Sequence, residues 1–450
     1  MQNPPSLFER ANRWLRESIT IKLVSIGFLI LLLMIPSFMI ESLISERDSM
    51  RFGAIDEVSS KWGRQQTVGA LVLTVPYLTT ILNEKGQPTE TTAYAHFLPD
   101  QVNIKGELTP ETRYRGIYEV VVYNAQLNVS GQMPRPDFSD WSVGPGKILW
   151  KDAFVSLGIS DMQGIKENIA LKWGQDQLAF GPGIETGEVF TSGVSVRTPL
   201  LPAANPADTL ASFPFSFTLD LNGSSLLYFT PLGKETTIAL SSKWATPSFG
   251  GAALPDERQV TPAGFSAQWR RLHLNRNYPQ KIRGSVGTQV AESNFGVELL
   301  VPVDQYQKST RSIKYAILII GLTFMIFFFA EVLNKKRIHP FQYILVGLAL
   351  CIFYTLLISL SEHLGFNLAY FLSALAVVGL VTAYCTSIFA HLQLALLTGG
   401  ILALLYGFMF TLLQLEDYAL LMGSIGLFVV LAIIMYLSRR IDWYGGEQEG

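Results

Sequence analysis

Four ionisable residues in or beside long apolar segments have the side chains best suited to chemistry. A carboxylate next to an imidazole can relay protons or bind a metal ion, and ionisable groups in a membrane are costly enough to be functional candidates. Glu362 and His363 form such a pair, but adjacent helical residues point in different directions, so anchoring of a helix end is the alternative. The candidate positions are Glu331, His339, Glu362 and His363.

Glu331 and His339 lie on either side of a short basic turn. Glu331 precedes Lys335 by four residues, so an ion pair along one helix is one interpretation and a pairing inside a helix bundle is the other. His339 precedes Pro340, which restricts the residue before it and favours the first position of a helix. The sequence contains no G-x-S-x-G, H-E-x-x-H or P-loop motif. We therefore expect no catalytic, cofactor-binding or metal-binding residues.

Composition points to a membrane protein. Charged residues make up 16% of the chain, against about 25% in soluble globular proteins. A net charge of −2 without a basic stripe argues against nucleic acid as a partner. Both cysteines, Cys351 and Cys385, lie in apolar segments, so the polar region cannot contain an internal disulfide or a CxxC metal motif.

Six apolar segments are long enough to cross a bilayer, which takes about 20 residues. The first, at 21–40, follows a basic start like a signal peptide, but it is longer than a signal core and lacks a small-residue cleavage site. An uncleaved anchor is therefore predicted. The other five lie at 315–333, 343–360, 367–389, 393–413 and 419–437 within a transmembrane region at 315–437.

Basic residues predict the orientation, because lysine and arginine accumulate in cytoplasmic loops. The turns at 361–367 and 414–418 contain acidic residues and neither lysine nor arginine. Six crossings then place residues 1–20 and 438–450 in the cytoplasm and residues 42–310 in the periplasm. The residues that determine this topology are Arg10, Arg13, Arg16, Lys335, Lys336, Arg337, Arg439 and Arg440.

The region at 42–310 begins with a predicted helical stalk. After the stalk, apolar residues recur with a period of two, as in β-strands. In the stretch at 213–221 five large apolar residues share one face, and Asn222-Gly223 predicts a hairpin turn after them. A proline- and glycine-rich stretch at 133–146 is a candidate boundary between two lobes. The predicted fold class is an α+β membrane protein. It has a six-helix transmembrane bundle, one helix N-terminal and five C-terminal, and a large, mainly antiparallel β periplasmic domain.

Several stretches resemble the CreD family of bacterial inner-membrane proteins. They include PVDQYQKSTRSIKYAILIIGLTFMIFFFAE at 302–331, RIHPFQYILVGLALCIFYTLLISLSEH at 337–363 and WGRQQTVGALVLTVPY at 62–77. The resemblance covers nearly the whole chain. It implies an inner-membrane protein linked to cell-envelope integrity and envelope-stress tolerance, with no established enzymatic activity and no defined catalytic residues.

The leading hypothesis is a non-enzymatic protein of the bacterial inner membrane that supports the envelope. Its periplasmic domain would bind an envelope component or a protein of the periplasm or the inner membrane. Its helices would lie in the lipid bilayer. A transporter or channel is one alternative, although the helix centres lack charge and Gly379, Gly399 and Gly400 would permit close helix packing instead. A membrane enzyme acting on lipid or cell-wall precursors is the other alternative.

Overall fold

The computed structural model describes residues 19–83, 87–200, 212–301, 305–334, 338–415 and 418–439. The chain divides into two compact units, Met1–Arg51 with Val303–Gly450, and Phe52–Pro302. Of the predicted topology determinants, Arg439 lies within the described residues. The others, whose orienting role stays a prediction, lie outside them: Arg10, Arg13, Arg16, Lys335, Lys336, Arg337 and Arg440.

Eight α-helices occur among the described residues. Six of them, α1 and α4 to α8, are long and apolar enough to cross a membrane, which confirms the predicted arrangement of one N-terminal and five C-terminal apolar helices. The polar helix α3 was not predicted. The helices are α1 (Ile19–Trp62), α2 (Gly287–Glu292), α3 (Gln305–Lys314), α4 (Ala316–Leu333), α5 (Pro340–Leu364), α6 (Phe366–Phe389), α7 (Leu392–Gln414) and α8 (Ala419–Ser438).

The first helix belongs to the bundle along one of its faces. Leu29, Leu33 and Ser37 are buried at helical spacing, as a docked stripe requires. Leu33 packs over Gly347 of α5, where an added Cβ would lie 2.1 Å from the Leu33 Cδ1 atom. On the next turns of the same two helices, Ser37 Oγ of α1 lies 3.9 Å from Cys351 Sγ of α5. A glycine and small polar residues therefore let α1 and α5 approach closely.

The described residues of the unit at Phe52–Pro302 form seventeen strands. In β3 apolar residues bury one face of the strand, since Val102, Ile104 and Leu108 are buried, whereas β1 is buried on both faces over most of its length. The strands are β1 (Gln66–Leu82), β2 (Pro88–Phe97), β3 (Gln101–Arg115), β4 (Tyr118–Pro134), β5 (Phe154–Ile159), β6 (Ala170–Trp173), β7 (Asp176–Ala179), β8 (Gly181–Pro182), β9 (Gly193–Arg197), β10 (Ser212–Ser224), β11 (Leu226–Phe229), β12 (Glu235–Ser242), β13 (Pro247–Gly251), β14 (Glu257–Thr261), β15 (Gly264–Leu272), β16 (Lys281–Arg283) and β17 (Phe295–Leu299).

These strands form two sheets that enclose one apolar core. The nine-stranded sheet runs β13-β17-β11-β1-β5-β9-β8, with β2 paired to β1 and β16 to β2. The eight-stranded sheet runs β14-β15-β12-β3-β4-β10-β6-β7. Pairing is antiparallel except for β1 with β11 and β12 with β3, which are parallel. The predicted mainly antiparallel β region is confirmed.

The candidate boundary at 133–146 does not separate two lobes, so that prediction is wrong. Strands from before and after it pair in both sheets. Phe138 and Trp141 within the stretch pack against Phe97 with ring centroids 5.3 and 5.7 Å apart. Proline and glycine here shape a core-lining connection, because Phe138 is buried in the shared core and the partly buried Trp141 packs against it.

The predicted hairpin at Asn222-Gly223 is also wrong. Both residues lie inside β10, and the chain turns at Ser225, which has a φ of 62°. Gly223 is needed for packing rather than for a turn, because an added Cβ would lie 2.3 Å from the Tyr123 hydroxyl oxygen. That hydroxyl donates to the carbonyl of Leu226 at 2.7 Å, which fixes Tyr123 against the glycine.

Candidate functional site

Glu331 lies in the last turn of α4 and is only 5% exposed. Its Oε1 accepts a hydrogen bond from Lys22 Nζ at 2.8 Å, and its Oε2 accepts one from the Tyr343 hydroxyl at 3.2 Å. Lys22 belongs to α1 and Tyr343 to α5, so one carboxylate joins three helices. Of the two interpretations, the pairing inside the bundle is present, while Lys335 lies outside the described residues.

The cluster of Lys22, Glu331 and Tyr343 can hold three helices together. Both carboxylate oxygens are held by protein groups, and a buried charge of this kind is tolerated only when it is paired and hydrogen-bonded. The sequence pointed to Glu331 but not to its partners. Lys22 is 309 residues away along the chain, and no local spacing connects the two.

His339 caps the start of α5. Its Nδ1 accepts a hydrogen bond from the Phe341 backbone N–H at 3.2 Å, and the Gln342 side chain accepts one from the His339 backbone N–H at 3.0 Å. Pro340 is the first residue of the helix. This reciprocal capping satisfies N–H groups that the first helical turn leaves unpaired. The imidazole is therefore used in starting a helix.

Glu362 lies at the other end of α5, where its Oε1 accepts a hydrogen bond from the Tyr306 hydroxyl at 3.0 Å. Tyr306 belongs to the unpredicted helix α3, whose Arg311 donates to the backbone carbonyl of Leu415 at 3.2 Å. Lys308 of the same helix donates to the side chain of Gln414 at 3.0 Å. The short helix thus ties together the ends of α5 and α7, and Glu362 is one of the ties. His363 is exposed beside it.

The four candidate residues do not form one site. His339 and Glu362 are separated by 23 helical positions of α5, which corresponds to about 35 Å along the helix axis. Glu331 bonds to Tyr343 near the His339 end, and His363 lies at the opposite end. Three of them make local contacts, of which two join helices, and His363 is exposed.

A buried histidine in the β-rich unit has partners that the sequence did not reveal. His96 Nδ1 lies 2.9 Å from Thr74 Oγ1, and its Nε2 lies 2.8 Å from Glu188 Oε2. A hydroxyl, an imidazole and a carboxylate in this order resemble a catalytic triad. Thr74 is only 1% exposed in the middle of β1, so a substrate cannot reach its hydroxyl. The contact instead fastens the segment around Glu188 to the nine-stranded sheet.

We predict that His96 makes the stability of the β-rich unit depend on pH. Burial lowers the pKa of His96 below its ordinary value, and the bond to Glu188 opposes that effect only in part. The folded state therefore takes up this proton at lower pH than the unfolded state does. The free energy of unfolding should fall as pH drops below about 6.5, by at most about 1.4 kcal/mol per pH unit.

The measurement is urea unfolding of the full chain in micelles at several pH values. Six of the eight tryptophans lie between Phe52 and Pro302, so tryptophan fluorescence reports mainly this unit. The variant His96→Gln should lose the slope contributed by this residue, and His273→Gln should keep it. A slope that survives in His96→Gln would contradict the assignment.

Among the described residues, no group of three or more histidine, cysteine, aspartate or glutamate side chains could hold a metal ion. The fold and its helix-joining contacts define a class, namely an α+β membrane protein with a large β-rich unit inserted after its first apolar helix. A family model described as "Inner membrane protein CreD" matches residues 18–444. The inner membrane protein CreD of Escherichia coli (strain K12) is 34% identical over 429 residues, which cover 94% of this chain and 93% of that relative. The chain belongs to the CreD family of inner membrane proteins.

Proposed function

We propose that this protein supports cell-envelope integrity without catalysis, by holding its β-rich unit on the periplasmic side of the inner membrane. There the unit binds an envelope component or a protein partner, and the helices serve as its anchor. The orientation is supported by basic residues at both chain ends and in the turn at 335–337, with acidic residues in the turns between.

One observation supports an anchor most strongly. The membrane-embedded carboxylate Glu331 has both of its oxygens occupied by side chains of two other helices. A transport or proton pathway needs ionisable groups that face a water-filled cavity and exchange partners. A carboxylate used in this way holds helices together, which fits an anchor for the β-rich unit.

Deletion of the gene tests the proposal. A strain without the protein should become more sensitive to detergent and to cell-wall antibiotics, and a plasmid copy of the full chain should restore growth. Unchanged sensitivity across these agents would contradict the proposed role, because support of the envelope requires a consequence when it is removed.

A matched pair of variants tests the absence of catalysis and transport. Tyr306→Phe removes the hydrogen bond to Glu362, whereas Glu362→Gln keeps an acceptor for it and removes only the ionisable group. If the carboxylate serves only to tie helices, Glu362→Gln should restore growth at least as well as Tyr306→Phe. Loss of function in Glu362→Gln alone, at unchanged protein abundance, would favour a transporter or an enzyme.

A further inference from the structure

The outer face of the eight-stranded sheet carries a polar grid. Residues alternate along most of β3 and β4, so that one face is buried in the core and the other is turned outward. Strand register aligns the outer-face residues of β10, β4 and β3, which are exposed or half-buried, into rows across the sheet. The rows are Ser216–Ser130–Asn103, Thr218–Asn128–Lys105 and Asp220–Gln126–Glu107.

Several side chains of this grid are short, and the sheet surface is lower where they lie. Ser130, Ser216 and Thr218 lie side by side on β4 and β10, and β12 continues the rows with Ala239 and Ser241 beside β3. Long aliphatic or aromatic side chains on this face would fill the space above the strands. Short ones leave a floor along which a ligand can approach the sheet closely.

The hairpin of β6 and β7 extends this floor beyond β10. Lys172 and Gln177 of the hairpin, with Glu167 and Asn168 before it, line a groove of about 560 Å³. This lies within the range of about 300–1,000 Å³ typical of ligand sites. We call it the sheet groove; its floor continues across β12 and β15 through Ser241 and Gln268.

The sheet groove carries no net charge. Two lysines and two carboxylates line it, namely Lys105, Lys172, Glu167 and Asp220. Lys166, whose Nζ lies 3.4 Å from Asp220, and Glu107 on the continuing floor add one charge of each sign. A polyanion would need an excess of lysine or arginine here, and a cationic peptide would need an excess of carboxylate.

Amide side chains dominate the remaining lining. Five of them face the groove: Asn103, Gln126, Asn128, Asn168 and Gln177. Each amide can both donate and accept hydrogen bonds. Asn128 Oδ1 accepts from the Thr218 hydroxyl at 3.1 Å, which orients that amide so that its N–H₂ group can donate to a ligand. Hydroxyl and acetamido groups, which also donate and accept, are the matching ligand chemistry.

Resting on the proposed function, we propose that the sheet groove binds an uncharged, N-acetylated glycan chain. The chain would lie across the strands, since the rows of amides and hydroxyls run in that direction. From β6 to β12 the floor spans four strand spacings, or about 19 Å, which accommodates several sugar rings. The envelope component bound by the β-rich unit is then a glycan rather than a protein.

The test uses the full chain in lipid nanodiscs and chitopentaose, a linear pentamer of N-acetylglucosamine, observed by saturation-transfer NMR and titration. Cellopentaose has the same linkage without acetamido groups and should bind more weakly. The double variant Gln126→Leu/Asn128→Leu removes two central amides at exposed strand positions and should weaken binding about tenfold, as expected for two lost hydrogen bonds.

The matched control is Gln289→Leu, which changes an exposed amide on α2, outside the groove lining. It should leave binding unchanged, and the urea midpoint should show that all variants fold. No binding of chitopentaose, equal loss in the control, or preference for an acidic oligosaccharide such as oligogalacturonate would overturn the proposal.

Growth tests separate this proposal from the broader one. If the double variant binds chitopentaose more weakly and restores the deletion strain less well than the wild-type chain, both proposals are supported together. If deletion causes sensitivity but the double variant restores growth fully, the glycan site is overturned while the envelope role stands. If deletion has no effect yet chitopentaose binds through Gln126 and Asn128, the site stands and the envelope role fails.

Discussion

Replacing Lys22 by methionine is expected to destabilise the unit that contains the apolar helices by about 3–5 kcal/mol, because it leaves Glu331 charged, buried and without its cation. The Glu331 side chain is 5% exposed, whereas that of Lys22 is 32% exposed. The reverse change, Glu331→Gln, should therefore cost less, since the remaining ammonium can reach water along its flexible stem.

The double variant Lys22→Met/Glu331→Gln should be more stable than Lys22→Met alone, because it removes the unpaired charge. Cys351 provides the measurement: its thiol is buried beside Ser37 of α1, so its rate of labelling in micelles with increasing SDS reports separation of α1 from α5. Cys385 on α6 is the internal reference. Equal labelling of Cys351 in Lys22→Met and in the wild type would contradict a stabilising role for the ion pair.

Replacing Gly399 by alanine should destabilise the pairing of α6 and α7 by about 1–3 kcal/mol, the usual cost of overpacking. An added Cβ would lie 2.2 Å from Thr382 Oγ1 and 3.1 Å from Thr382 Cβ. The threonine cannot easily move aside, because its branch point is close and its hydroxyl donates to the Val378 carbonyl at 2.7 Å. The helices themselves must shift.

The adjacent residue supplies the control for this prediction. An added Cβ on Gly400, and likewise on Gly379, would meet no atom within 4 Å. Gly400→Ala should therefore leave the SDS concentration for unfolding unchanged or raise it, since alanine favours the helix. If Gly399→Ala and Gly400→Ala unfold at the same SDS concentration, close approach at Gly399 does not determine the packing.

The six apolar helices were predictable because each is a continuous apolar run, a signal that needs no knowledge of neighbours. Helix α3 was not predictable, since most of its ten residues are polar and its buried face depends on the ends of α5 and α7. The glycines illustrate the same limit. All three of Gly379, Gly399 and Gly400 suit close packing by type, but only the position of a neighbouring helix selects Gly399.

Predicting the candidate contacts was harder, because they join distant parts of the chain. Glu331 was predicted from its place in an apolar run, but Lys22 contributes from the first helix. His96 and Glu188 are 92 residues apart, and Asn222-Gly223 carries a turn signature that tertiary packing against Tyr123 overrides. Local patterns identify which residues are unusual, while the fold determines what they contact.

Cysteine labelling of intact cells tests the orientation most directly. Both native thiols are buried, so the wild-type chain should react slowly with a membrane-impermeant maleimide. A chain with Gln289→Cys, exposed on the β-rich unit, should be labelled in intact cells, whereas one with Gln448→Cys, near the C-terminus, should be labelled only after the membrane is opened. Labelling of Gln448→Cys but not Gln289→Cys in intact cells would place the β-rich unit in the cytoplasm and contradict the proposed role.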